Sequence, residues 1–178
     1  MVLITVIACG APLAVRAGEV VESAIRSGWD VEFLATPAAM PWLGSASDCD
    51  VDAAPRSEFS PIGQRQSPIP RSAVIVVPIT FNSVGKLATG IADTHAHSVL
   101  AESLGSGLPL VIVPMVNTSL RKHPAWLANM DRLVEAGALV VDPATSQKCP
   151  RISDLCERMD IVDEFCPDRL IEIVRELL

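Results

Sequence analysis

No two cysteines in this sequence stand in a C-x-x-C spacing, and their number is odd: Cys9, Cys49, Cys149, Cys156 and Cys166. Neither a disulfide framework nor a zinc ribbon is indicated, and reduced thiols in a cytoplasmic protein are the expectation. Basic charge is also scarce. With 14 Lys and Arg against 21 Asp and Glu, the formal charge is −7 and the pI about 4.9. A nucleic-acid or anionic-membrane partner needs a basic face, so both are disfavoured. Met1 to Val15 carry no charge at all. Val6-Ile7-Ala8-Cys9 superficially resembles a lipoprotein cleavage box, but no basic stretch precedes it as a secretory signal requires. No run reaches the roughly 18 apolar residues of a membrane span. Internal repeats and low-complexity tracts are absent too.

What the chain has is apolar residues. Of its 178 residues 49% are hydrophobic and 20% charged, with a mean hydropathy of +0.38. That length suits one domain with a substantial core. The apolar excess calls for extra burial, in an oligomer interface or around a cofactor.

Short apolar runs alternate with segments of helical period, the pattern of a parallel sheet covered on both faces. Val2 to Ala8 predicts a first strand, and Leu13 to Ser27 a helix with Leu13, Ala17, Val20, Val21, Ala24 and Ile25 on one face, closed by Gly28. Asp30 to Thr36 predicts a second strand. From Gly44 to Pro70 no apolar period survives, which predicts an irregular connection or lid. Ala73 to Val77, Leu108 to Val113 and Ala138 to Val141 predict three more strands. Helices are expected at Asn82 to Ala88, Ala92 to Leu104, Pro124 to Glu135 and Pro167 to Leu178. The fold class is α/β, a three-layer doubly wound parallel sheet of Rossmann-like or flavodoxin-like type, with five or six strands. The C-terminal segment from Asp142 onward is expected to cover a sheet edge or an interface.

In such folds ligands bind outside the carboxyl ends of the strands, so the loops after each strand carry the information. They read Cys9-Gly10-Ala11-Pro12, Thr36-Pro37-Ala38, Pro78-Ile79-Thr80-Phe81-Asn82-Ser83 and Pro114-Met115-Val116-Asn117-Thr118. Gly10 permits close backbone approach, and the following helix offers free N–H groups to a phosphate. A tight turn accounts for Gly10 equally well. The lack of a G-x-G-x-x-G spacing speaks against a dinucleotide and leaves a mononucleotide open. Thr80, Asn82 and Ser83 are three polar residues where one cap would suffice. Gly85 and Gly90, inside a helical region, add to the expectation of a close ligand or neighbouring subunit.

Pro78-Ile79-Thr80-Phe81-Asn82-Ser83 resembles the Pro-Ala-Ser-Ala-Asn-Thr flavin motif of the homo-oligomeric flavin-containing cysteine decarboxylases, a family that includes phosphopantothenoylcysteine and lantibiotic peptidyl-cysteine decarboxylases. Lys86 to Asp93 resembles the continuation of that motif, and Pro114 to Thr118 with His123-Pro124 resembles the family's Pro-x-Met-Asn substrate motif and the His-Pro that follows. The likeness spans most of residues 2 to 141. It implies FMN, with Gly10, Thr36, Thr80, Asn82 and Ser83 near its phosphate and isoalloxazine, and with Ala11, Pro78, Phe81, Ala92 and Asp93 completing the cofactor site. It further implies a substrate site with Met115 and Asn117, a small-molecule or C-terminal cysteine peptide as substrate, and a trimer or dodecamer with flavin at the subunit contact.

Departures from the family pattern are equally specific. Its catalytic histidine precedes the strand that leads into the flavin motif, and counting back places Gln64 there. No histidine precedes His95, and glutamine cannot take a proton near neutral pH. The substrate motif is shifted, with Met115 one place early and Val116 in the methionine position, and Leu120-Arg121 replaces the usual Met-Trp.

His95 and His97 are spaced too closely along a helix to make a metal pair, and are expected to be exposed or at an interface, where they could replace the missing histidine from a neighbouring subunit. Asp93 and Glu102 read as surface carboxylates. Trp29, Trp42 and Trp126 are expected in core or interface packing, with stacking on a flavin the alternative. Cys9 reads as a small buried hydrophobe. Four functions stay open: an FMN-dependent oxidative decarboxylase of a cysteine carboxylate, an FMN redox protein acting on another substrate, a flavin prenyltransferase-like enzyme, and a non-catalytic regulatory subunit.

Overall fold

A computed structural model describes residues 1–44, 70–156 and 158–178. Five strands form one parallel sheet: β1 (Leu3–Ala8), β2 (Asp30–Ala35), β3 (Arg71–Ile79), β4 (Leu110–Pro114) and β5 (Ala138–Val140). Their order in space is β2-β1-β3-β4-β5. The chain winds outward from β1 in one direction and from β3 in the other, so the switch in strand order falls between β1 and β3. The doubly wound expectation holds, with five strands.

Each strand feeds two cores, because successive side chains point to opposite faces. Ile4, Val6 and Ala8 of β1 and Ala73, Ile75 and Val77 of β3 join α1 (Ala17–Arg26) and α6 (Pro167–Arg175) on one face. Ile7, Val74 and Val76 join α2 (Phe81–Thr89), α3 (His95–Ser106) and α5 (Ala125–Glu135) on the other. A fully buried leucine here, such as Leu100, contributes about 2–5 kcal/mol against truncation to alanine.

The differences from expectation have local causes. The segment that leads into α1 begins as a 3-10 turn at Pro12–Arg16, because the Leu13 N–H is diverted to Met115 Sδ at 3.1 Å and the Ala14 N–H closes on the Ala11 carbonyl. Strand β3 starts before its apolar run because Arg71 has partners across the sheet. Its guanidinium donates to Glu32 Oε2 at 2.9 Å and to Thr5 Oγ1 at 3.0 Å. Helix α3 begins at His95 rather than Ala92, since Thr94 is its cap.

Gly90 occupies the left-handed C-cap of α2 at φ +76°, a position that by itself accounts for the glycine. Gly85 faces α5, where an added Cβ would meet Asn129 Nδ2 at an ordinary 3.8 Å. The short helix α4 (Thr118–Arg121), capped by Asn117, has no counterpart among the expected elements. From Asp142 onward the chain serves both faces: Ile152 and Leu155 join the α5 side, whereas Ile161, Phe165 and α6 cover the α1 face, where Asp168 accepts from Arg26 at 3.0 Å. The connection or lid expected between Gly44 and Pro70 lies, apart from its end residues, outside the described residues. Among the described residues no helix is long and apolar enough to cross a membrane.

Candidate active site

The carboxyl ends of β1, β2, β3 and β4 open onto one cavity of about 540 Å³ at the switch point. That volume lies within the range of small-molecule and cofactor sites. Its walls bring together Gly10, Ala11, Thr36, Thr80, Phe81, Asn82, Ser83, Met115 and Asn117 from the sequence expectations.

Gly10 and Ala38 hold the first two loops together. A Cβ on Gly10 would stand 2.7 Å from the Ala38 carbonyl carbon and 2.9 Å from its Cβ. The missing side chain therefore lets one loop pass over the other, the tight-turn reading extended to a second loop. The helix start after β1 offers fewer free donors than its position promises. Pro12 has no N–H, and those of Leu13 and Ala14 are already bonded.

The α2 start is better equipped. Thr80 caps it, its Oγ1 accepting from the Ser83 N–H at 3.3 Å, which leaves the Phe81 and Asn82 N–H groups without partners within the helix. Ser83 Oγ stands 3.3 Å from Thr80 Oγ1 and 3.0 Å from His97 Nε2. His97 Nδ1 lies 2.7 Å from Thr94 Oγ1 and 3.5 Å from Asp93 Oδ1. Asp93 in turn accepts from Lys86 Nζ at 2.6 Å, and this pairing holds its carboxyl below the usual carboxylate range. Lys86 is the one charged side chain among the described lining residues.

Burial, aided by Lys86, pushes the His97 imidazole below its ordinary value near 6.5, so the ring is neutral at pH 7. Cys9 packs beneath this group, wholly buried. Burial pushes its thiol up to about 11, against opposing hydrogen bonds from Ser83 and the Thr80 backbone.

On the far wall Asn117 Oδ1 accepts from the Leu120 N–H at 2.9 Å and caps α4, so its amide protons are what it can offer a ligand. Phe81 lies edge-on to His123, with centroids 5.2 Å apart, and stacks on Trp126 at 6.2 Å. Trp126 is thus core packing, while Trp29 lies under Arg175 in a cation–π contact away from the cavity. Trp42 alone of the three tryptophans lines the cavity.

Pro78 is buried in β3 and Ala92 is exposed beyond α2, and neither lines the cavity. Asp93 reaches it only through Lys86 and His97. Gln64, placed in the catalytic histidine's position, lies outside the described residues. His95 and His97 are both buried, at 7% and 2% exposure, so the solvent-exposed reading of either is overturned. After the short connection Gly90 to Thr94, both side chains lie on the inward side of α3. Sequence pattern alone does not place Lys86, Thr94 and His97 together in this wall. The Thr94-x-x-His97 spacing, that of a capped helix start, is the signal available.

The Flavoprotein family model matches residues 2–166. The bifunctional coenzyme A biosynthesis protein CoaBC of Bacillus subtilis is 37% identical over 71 residues, which are 40% of this chain and only 17% of that protein. Among solved structures, a mutant PPC decarboxylase superposes with a TM-score of 0.75 at 16% identity, over 99% of this chain and 98% of the other. The FMN-dependent cysteine decarboxylase SpaF superposes with a TM-score of 0.64 at 24% identity, over 80% of this chain and 85% of its own.

Proposed function

Because the chain belongs to the Flavoprotein family, we propose that the cavity at its switch point binds FMN and that the loaded protein oxidatively decarboxylates a small substrate or peptide end carrying a thiol and a carboxylate. The observation that carries this reading is the convergence of four strand ends on one cavity with cofactor-sized volume, at a helix N-terminus whose Phe81 and Asn82 N–H groups have no partner within the helix. The residues present fit the cofactor. The Phe81 and Asn82 N–H groups and the Lys86 ammonium are suited to an anion, and Thr36 and Thr80 supply hydroxyls for a polyol chain. Ala11, Met115, Val116 and Leu120 supply apolar wall for an aromatic ring.

FMN, when bound, supplies the two-electron oxidation that loosens a carboxylate β to sulfur. The chain's own residues position and shield. Asn117 directs its amide N–H groups to the substrate carboxylate, since its oxygen is engaged in the α4 cap. Met115 packs against the substrate's apolar part, and Trp42 with Leu120 excludes water at the mouth. Trp42 and Leu120 are 40% and 39% exposed in the single chain, which fits a homo-oligomer, trimer or dodecamer, whose subunit contact closes the mouth.

The test is a visible absorbance spectrum of the purified protein with mass spectrometry of what heat releases, followed by carbon dioxide release from a peptide ending in cysteine. Stoichiometric FMN with carbon dioxide supports the whole reading. FMN without carbon dioxide removes the decarboxylase and keeps the flavoprotein, and a protein that takes up no FMN overturns both.

A further inference from the structure

The cavity contains a buried imidazole for which the proposed binding of FMN has no use. His97 is 2% exposed, its Nε2 is 3.0 Å from Ser83 Oγ, and Ser83 is itself in the cavity wall. Both of its ring nitrogens have hydroxyl partners. Here Nδ1 meets Thr94 Oγ1 and, further off, the Asp93 carboxylate. A carboxylate on that side favours a proton on Nδ1, which leaves Nε2 bare and facing the Ser83 hydroxyl. Thr80 Oγ1 donates to Ser83 Oγ in the same line, so the hydroxyls run from the capped α2 start to the ring.

We propose that His97 is a positioning residue that turns Ser83 into a proton conduit, accepting through the Ser83 hydroxyl the proton that a weakly acidic group bound in the cavity gives up. The ligand's X–H bond breaks and its proton goes to Ser83 Oγ, while the Ser83 O–H proton passes to His97 Nε2. No electrons change hands. The ligand is left as an anion, and the imidazolium is faced by Asp93.

The charged and titratable groups around the ring are Lys86 on α2, Asp93 ahead of α3, and Cys9 at the end of β1, which reaches it through Ser83. Lys86 opposes protonation of the ring in the empty cavity. Near a newly formed anion the same ammonium and the imidazolium are both favourable. The inference rests on the FMN reading for its ligand, since a reduced flavin is a weak acid of the required kind, and concerns only residues of this chain.

The test uses the full chain in two measurements. Nitrogen-15 spectra of histidine-labelled protein, with His97 assigned by the His97→Gln variant, read the tautomer at neutral pH. A proton on Nδ1 with Nε2 bare is expected, and a proton on Nε2 overturns the proposal. Protons taken up on dithionite reduction are then counted with an indicator dye in FMN-loaded wild type, His97→Gln and Ser83→Ala.

Glutamine can keep the hydrogen bond to Ser83 but cannot accept a proton. On reduction the His97 resonance of wild type is expected to move to the imidazolium position, and where the variants also hold reduced flavin as its anion, wild type takes up about one proton more per flavin, the one on His97. Equal uptake in wild type and His97→Gln, with that resonance unmoved, overturns the proposal while leaving FMN binding intact. A colourless protein instead overturns the flavin reading, and the tautomer then decides the assignment of His97.

Discussion

A methyl group on Gly10 would stand 2.7 Å from the carbonyl carbon of Ala38, a residue twenty-eight places later in another loop. The two loops after β1 and β2 are therefore locked backbone to backbone at the cavity wall. Neither partner atom is the end of a flexible side chain, so the contact cannot be relieved by a rotamer change. Gly10→Ala is expected to lower unfolding free energy by about 1–3 kcal/mol, as overpacking does, and to weaken FMN uptake. Denaturant midpoints and an FMN titration check it. An unchanged midpoint with unchanged uptake would mean that the loops part freely.

The neutral state of His97 gives the fold a pH dependence on the acid side. Burial and Lys86 depress its folded value below the ordinary 6.5, so the unfolded chain takes up the proton first as pH falls. The unfolded state then binds more protons, and stability present above about pH 6.5 is lost as pH drops toward the folded value. His97→Gln removes this contribution. Unfolding free energies of wild type and variant between neutral and mildly acidic pH should converge as pH falls, and parallel curves would contradict the depressed value.

The sheet is legible in the sequence because its strands are buried on both faces and read as continuous apolar runs, as Leu3–Ala8 does. Thr80, Asn82 and Ser83 are legible as a group because one cap does not explain three polar residues, and all three line the cavity. What escapes is whatever depends on a partner far along the chain. Arg71 looks like the end of a loop because Glu32 and Thr5, which satisfy it, lie on other strands. His97 looks like a surface histidine because its neighbours in sequence do not reveal that α3 packs against Ser83 of α2. Gly90 reads as a close approach of a ligand or neighbouring subunit, and its left-handed helix-ending geometry is a second reason for the glycine that the sequence leaves out.

Asp142 ties down the segment that follows β5. Its Oδ1 accepts from the Ala144 and Thr145 N–H groups, each at 2.9 Å, and its Oδ2 accepts from the Cys156 N–H at 2.6 Å. The side chain is buried at 6% exposure, so removing it leaves three backbone donors with reduced access to water. Asp142→Ala is expected to lower unfolding free energy by about 2–4 kcal/mol, with Asp142→Asn milder because the amide oxygen retains one side of the arrangement. Hydrogen exchange at Ala144, Thr145 and Cys156 should speed up in both variants. Unaltered protection there would show that the carboxylate is not what holds the turn.

Cys9 supplies the alkaline counterpart. Burial holds its thiol up to about 11, against an ordinary 9.0, despite the nearby Ser83 hydroxyl and Lys86. In the unfolded chain it ionises near 9.0, so above that pH the unfolded state binds fewer protons and stability falls until the folded thiol ionises at about 11. Reactivity follows the same ordering, because the thiolate is the nucleophile. Iodoacetamide at mildly alkaline pH is expected to spare Cys9 in the folded protein and to modify it once denaturant is added, with peptide mapping as the readout. Rapid alkylation of Cys9 under native conditions would mean that the floor beneath Ser83 opens to solvent, and the closed polar group around His97 would then have to be redrawn.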